Sequence, residues 1–74
     1  MDHLPSVSPK RLIRVMEKVG FIVDRQSGSH VHLKHLERVL GVIVPMHNKN
    51  LPRGFLKAIL KQAGITEEEF RRLL

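Results

Sequence analysis

Three short segments of β-forming residues lie between two helices, each of which begins with a proline and ends before a glycine. Ser8 and Pro9 match an N-cap followed by a first helical residue, and Gly20 follows the last apolar residue of that helix. Pro52 and Gly64 bracket the second helix in the same way. Short connections favour an antiparallel sheet, and in a chain of 74 residues both helices are expected to cover one face of it.

Apolar spacing places the first helix at about residues 9–19 and the second between Pro52 and Gly64. The apolar positions are Leu12, Ile13, Met16 and Val19 in the first helix, and Phe55, Leu56, Ile59, Leu60 and Ala63 in the second. Beyond Gly64, Thr66 and Glu69 match a capping box, which predicts a short C-terminal helix.

The three strands are predicted at about residues 21–26, 30–35 and 39–44. The third is apolar on both faces apart from Gly41, which predicts the most buried strand, and Pro45 ends it. The fold class is therefore α+β. Helix, three antiparallel strands and helix form a sandwich like the double-stranded-RNA-binding fold, with two helices on one face and a short helix added at the end.

The composition excludes several classes of protein. The chain has no cysteine, so neither a disulfide framework nor a thiolate zinc site is available. Its longest apolar run falls far below the ~20 residues of a spanning helix, and a signal-peptide pattern is lacking. We therefore expect a soluble cytoplasmic protein with one domain over residues 1–74, in which residues 1–7 form a flexible tail.

Positive charge is concentrated in the middle of the chain. The formal net charge is +6, and residues 25–61 carry seven Lys or Arg against one acidic residue, Glu37. Residues 1–24 carry four cations against three anions, and residues 62–74 carry two against three. A concentrated basic region attracts a phosphate backbone or an acidic protein surface, although a solvated surface has the same composition.

The second strand carries the candidate chemistry, directly after the turn Ser27-Gly28-Ser29. Successive side chains of a strand point to opposite faces, so Val31 and Leu33 share one face. The other face carries His30, His32 and Lys34. Imidazole accepts and donates protons near neutral pH, and RNA supplies its own nucleophile, the 2′-hydroxyl. His30 is thus a candidate base for RNA cleavage, with His32 or His47 as a candidate second acid/base residue. A surface histidine without a chemical role fits the same spacing.

The pair His30 and His32 also has the spacing of two metal ligands on a strand. However, the chain lacks Cys, acidic residues are sparse, and the surrounding positive charge opposes cation binding. No metal site and no cofactor are therefore expected.

The remaining candidate RNA contacts are the cations Lys34, Lys49, Arg53, Lys57 and Lys61. The last three recur every four residues and form one row beside the apolar face of the second helix. The solvated flank of an ordinary amphipathic helix has the same pattern. Trp and Tyr are absent, and all three Phe occupy core-like positions. We therefore expect contact with the RNA backbone by shape, without base stacking.

Four segments occur in a recognisable order and spacing: Gly20-Phe21, Gly28-Ser29-His30, Val44-Pro45-Met46-His47-Asn48 and the stretch from Leu51 to Ile65. Together they resemble the HicA family of type II toxins, over about residues 9–70. One departure is Leu36-Glu37-Arg38, where family members often carry a Pro-Asp-Gly-type turn.

The resemblance implies a small mRNA endoribonuclease that needs no metal, acts in growth arrest or stress response, and has a double-stranded-RNA-binding-like fold. It also implies that His30, after the Gly28-Ser29 turn, is the catalytic histidine, and that a HicB antitoxin inactivates the toxin by covering it. His47 matches the histidine of the family's Val-Pro-x-His pattern. Two alternatives use the same basic face: a non-catalytic double-stranded-RNA-binding module and a protein-interaction domain.

Overall fold

The structure is a computed structural model that describes residues 4–74. Within this range the chain forms three helices and three strands, in the order α1 (Pro9–Lys18), β1 (Phe21–Ser27), β2 (His30–His35), β3 (Gly41–Pro45), α2 (Arg53–Ala63) and α3 (Glu67–Leu73). The strands pair antiparallel in the spatial order β1-β2-β3. The predicted α+β fold class is confirmed. Between residues 4 and 74 no helix has the length and apolar character that crossing a bilayer requires.

The central strand β2 has one buried face and one exposed face. Val31 and Leu33 are 5% and 2% exposed and join the core that the buried side chains of all three helices share. His30 and Lys34 are exposed, and His32 between them is half-buried. The predicted alternation of β2 is confirmed, so the helices cover the face that carries Val31 and Leu33.

Strand β3 starts later than predicted, and one of its faces is not covered. It begins at Gly41, and Val39 lies fully exposed in the connection before it. The strand lies at an edge of the sheet, and Ile43 is 47% exposed on the face away from the helices. The predicted start at residue 39 is wrong. Three of the five residues of β3 are buried, a larger share than in β1 or β2, so the prediction that it is the most buried strand is confirmed. The exposure of Ile43 was not predicted, because an apolar run does not reveal whether another layer covers its second face.

The helix caps follow the local sequence. The Oγ of Ser8 accepts a hydrogen bond from the N–H of Arg11 at 3.2 Å, and the Oγ1 of Thr66 accepts one from the N–H of Glu69 at 3.0 Å. Each cap satisfies an N–H group that has no partner within its own helix. Helix α1 ends at Lys18, within one residue of its predicted end.

The segment before α1 packs against the loop before α2, although the sequence predicts a flexible tail over residues 1–7. Leu4 and Val7 are each 4% exposed, and the carbonyl of Val7 accepts a hydrogen bond from the N–H of Leu51 at 2.9 Å. Burial of these two apolar side chains completes the core near the start of α2. Residues 1–3 lie outside the described residues.

The imidazole of His35 holds the junction between α1 and β1. Its Nδ1 accepts a hydrogen bond from the N–H of Glu37 at 3.0 Å, so Nε2 carries the proton and donates to the carbonyl of Val19 at 2.8 Å. The ring also meets Phe21 edge to face, with 5.0 Å between centroids. Gly20 has a φ of 104°, and a Cβ added there would lie 2.7 Å from Nε2 of His35.

Replacing Gly20 with Ala should lower the free energy of unfolding by about 2–4 kcal/mol, because the backbone disfavours an L side chain and the new Cβ meets a fixed ring. Urea unfolding followed by circular dichroism measures the change. Gly54→Ala is the matched control, because the added Cβ would enter open space within α2. It should leave stability unchanged or raise it by up to ~1 kcal/mol. Equal stability of the two variants would contradict this account.

Candidate active site

His30 is the first residue of β2 and directly follows the turn from β1. Ser27 pairs with His30 across the two strands, so the turn has Gly28 and Ser29 as its central residues. Gly28 has a φ of 59°, and Ser29 is not among the residues with positive φ. A positive φ at the first central position alone is the pattern of a type II′ hairpin turn, which takes glycine there. The turn thereby fixes the register that leaves His30 on the exposed face.

The loop that carries His47 is fastened to the same turn. The N–H of Met46 donates a hydrogen bond to the carbonyl of Ser29, and Pro45 pairs with His30 in the register of β2 and β3. Ser29 precedes His30 and Met46 precedes His47, so one backbone hydrogen bond links the residues before the two histidines. The structure therefore brings together two of the predicted acid/base candidates, although they are 17 positions apart in the sequence.

His30 and His47 line an open cleft of about 650 Å³ where β3 meets α2. The other lining residues are Gly41, Val42, Ile43, Pro45, Leu51, Pro52, Phe55 and Gln62. Most of them are apolar, and none is acidic. The convergent polar side chains are two imidazoles and one amide. An apolar concavity with a few polar groups is the usual form of a site that binds a small ligand or part of a larger one.

Phe55 is an aromatic residue that the sequence places incorrectly. Phe21 and Phe70 are buried as predicted, but Phe55 is 43% exposed in the cleft. The buried side chains of α2 centre on Leu56 and Leu60, and at ~100° per residue Phe55 lies at the margin of that face. The sequence did contain a signal for this exposure. The predicted apolar face of α2 is so wide that residues at one of its edges must lie outside the core.

Two members of the row of cations on α2, Lys57 and Lys61, lie on the opposite flank from the cleft. Lys57 and Lys61 line a separate concavity between α2 and α3, where the Nζ of Lys57 lies 3.6 Å from the Oε2 of Glu67. Phe55 and Gln62 instead face the cleft. The structure thus does not bring Lys57 and Lys61 to His30, and the contact of the row with RNA stays a prediction.

His32 and Lys34 share the exposed face of β2 with His30 but lie farther along the strand. His32 stands opposite Arg25 of β1, and the Nζ of Lys34 lies 3.5 Å from the Oδ1 of Asp24. Neither His32 nor Lys34 is among the residues that line the cleft. Their roles as second acid/base residue and phosphate contact remain predictions.

Two other cations lie nearer to His47. Lys10, in the first turn of α1, lines a second concavity together with His47. Lys49 follows His47 by two positions in the same loop and is exposed. Sequence reasoning missed Lys10 because it lies outside the charge-rich middle of the chain. The packing of α1 beside this loop brings it close.

The remaining histidine of β2 is not available to this site. Both ring nitrogens of His35 are hydrogen-bonded within the fold, at the other end of the strand from His30. Among residues 4–74, no three His, Cys, Asp or Glu side chains come together as they would around a metal ion.

Comparison with known families places this site in context. A family model described as the HicA toxin of bacterial toxin–antitoxin systems matches residues 9–65, which is more than half of the chain. No curated protein is significantly similar to the chain. The matched segment includes α1, the whole sheet and α2, and with them both histidines of the cleft. The chain therefore belongs to the HicA family of toxins from bacterial toxin–antitoxin systems.

Proposed function

We propose that this HicA-family toxin is an endoribonuclease that cleaves mRNA without a metal ion and uses His30 as its essential acid/base residue. The observation that carries the proposal is the shared cleft: the exposed imidazole of His30 and that of His47 line one concavity, and none of its lining residues in the described part of the chain is acidic. RNA cleavage through the 2′-hydroxyl requires one group to take a proton and another to give one, and two imidazoles fit these roles.

The proposed reaction needs no external nucleophile. His30 removes the proton of the 2′-hydroxyl, and the 2′-oxygen forms a bond to the adjacent phosphorus. The bond between phosphorus and the 5′-oxygen breaks, and that oxygen takes a proton from the second acid/base residue. The products are a 2′,3′-cyclic phosphate and a 5′-hydroxyl. His47 is the better-supported donor, because it lines the cleft with His30 whereas His32 does not.

The proposed phosphate contacts are Lys34, Lys49, Arg53, Lys57 and Lys61. Lys49 and Arg53 flank the stretch that supplies the lining residues Leu51 and Pro52, so they are suited to phosphates close to the cleft. Lys57 and Lys61 lie on the far flank of α2. They are suited to a strand that continues across the helix, where each neutralised phosphate adds affinity that salt weakens.

Membership of the family implies an antitoxin partner, and we propose that the partner is a HicB-type protein that covers His30. The apolar side chains of Ile43 and Phe55 support this, because they are 47% and 43% exposed beside the histidines. A protein that buried them would also close the approach of RNA to His30.

Replacing His30 with Ala should lower the rate of RNA cleavage by at least ~100-fold, because the reaction loses its acid/base group. The measurement is gel analysis of a single-stranded RNA substrate after incubation with chelator. His32→Ala is the matched control on the same face of β2 and should reduce the rate much less. Because His30 is exposed, its variant should unfold at the same urea concentration as the native chain.

Three outcomes would count against this assignment. Equal cleavage by the native chain and His30→Ala would exclude His30 as the acid/base residue. Tight binding of duplex RNA by the native chain without any cleavage would favour a non-catalytic binding module. Loss of cleavage upon chelation would contradict the metal-independent mechanism.

Neutralising Lys57 and Lys61 with Gln should weaken RNA binding and reduce its dependence on salt. At about 0.7 per phosphate contact on a single strand, losing two contacts should lower the slope of log K against log salt by about 1.4. Arg11→Gln with Arg14→Gln is the matched control, because it removes the same charge from exposed positions of α1. Equal slopes for the two double variants would show that the row has no specific contact with RNA.

A further inference from the structure

We infer that the cleft beside His30 binds one unpaired nucleobase, with Phe55 as the stacking surface and Gln62 as the group that reads the edge of the base. The inference rests on the proposed function for its ligand, RNA. It goes beyond that function by adding a base-binding site and two residues that the acid/base mechanism does not use.

The exposure of Phe55 is the first observation. Phe55 is 43% exposed, whereas Phe21 and Phe70 are 2% and 0% exposed. The exposed ring lines a cleft with apolar walls, among them Ile43 and Pro52. An aromatic face bordered by apolar walls is suited to the flat, apolar face of a base, and every base has one.

The position of Gln62 on the same flank of α2 is the second observation. Gln62 follows Phe55 by seven positions, which is close to two helical turns or about 10.5 Å along the axis. Helical side chains lean towards the N-terminus, so the amide of Gln62 extends back towards Phe55. An amide has both donors and acceptors for the edge of a base. The cleft therefore offers a stacking group and a hydrogen-bonding group to one ligand.

The charge of the site favours RNA over other occupants. Among residues 4–74, none that lines the cleft is acidic, and two lining residues are histidines. The neighbouring Lys10 and Lys49 add positive charge beside His47. A base held against Phe55 would leave its phosphate at the mouth of the cleft, near His30, because both side chains line the same concavity. The bound nucleotide would then adjoin the bond that is cut.

The base in this site must be unpaired. In an A-form duplex the bases are stacked on one another, so proteins recognise the duplex mainly by shape and backbone contacts. A single aromatic ring in a cleft requires a base that has left such a stack. The sequence predicted contact with the RNA backbone alone. With Phe55 exposed in the cleft, we instead expect this site to bind single-stranded RNA in preference to duplex RNA.

A tryptophan placed at position 55 tests this directly, because the native chain has no Trp. Phe55→Trp in a His30→Ala background prevents cleavage under the proposed mechanism and provides one fluorophore. A ten-nucleotide single-stranded RNA should quench the indole fluorescence, and a duplex of the same sequence should not. Leu36→Trp in the same background is the matched control, because Leu36 is 66% exposed in the connection between β2 and β3. Its fluorescence should not change with either RNA.

Binding and cleavage measurements separate the two residues. Phe55→Ala should weaken the binding of single-stranded RNA roughly 5- to 150-fold, whereas duplex binding should change little. In a pool of RNA substrates, Gln62→Ala should change the preference for the base next to the cleavage site. The total rate of cleavage should change less. Gln62 is exposed, so Gln62→Ala should unfold at the native urea concentration. More than half of Phe55 is covered, so Phe55→Ala should lose some stability, and its binding is measured under conditions in which circular dichroism shows it folded.

Quenching of the position-55 indole by duplex RNA as strongly as by the single strand would overturn the base-binding site. Quenching by an antitoxin protein but by neither RNA would overturn it too, in favour of a protein-docking cleft. A failure of the catalytic proposal is distinguishable from both, because it appears as continued cleavage by His30→Ala. The quenching measurement depends on binding and not on the chemistry of cleavage.

Discussion

Pairing of β2 on both of its sides is the constraint on which the rest of the structure depends. It places Val31 and Leu33 against the helices, and so it places His30 and its polar neighbours on the outer face. A slip of one residue would exchange the two faces. The turn at Gly28 prevents such a slip, since its positive φ suits a two-residue connection. The same pairing that forms the core therefore positions the candidate catalytic histidine.

Helix α2 has one buried face and two exposed flanks with different surroundings. One face enters the core through Leu56 and Leu60, one flank presents Phe55 to the cleft, and the other carries Lys57 and Lys61. In the proposed function these flanks hold different parts of one RNA strand, a base on one side and phosphates on the other. A single helix thus links a base-selective contact with contacts that do not depend on sequence.

The exposed apolar groups of the cleft have a consequence for regulation. Ile43 and Phe55 expose much of their surface to water in the free chain. Apolar surface that stays in contact with water does not stabilise the folded chain. In the proposed function, RNA and the antitoxin compete for this surface. An antitoxin that covers Phe55 would remove the base-binding site and would block the approach to His30 by the same contact. Inhibition then requires no change in the shape of the toxin.

The sequence by itself determined the elements whose signals are local: the caps at Ser8 and Thr66, the alternation of β2, and the position of His30 after its turn. These depend on neighbours in the chain, so spacing and residue type were sufficient. Only the tertiary structure decided that β3 lies at an edge, that Phe55 faces a cleft and that His47 joins His30. Each of these three features depends on which distant segment packs against a side chain. A local sequence pattern does not specify packing between distant segments.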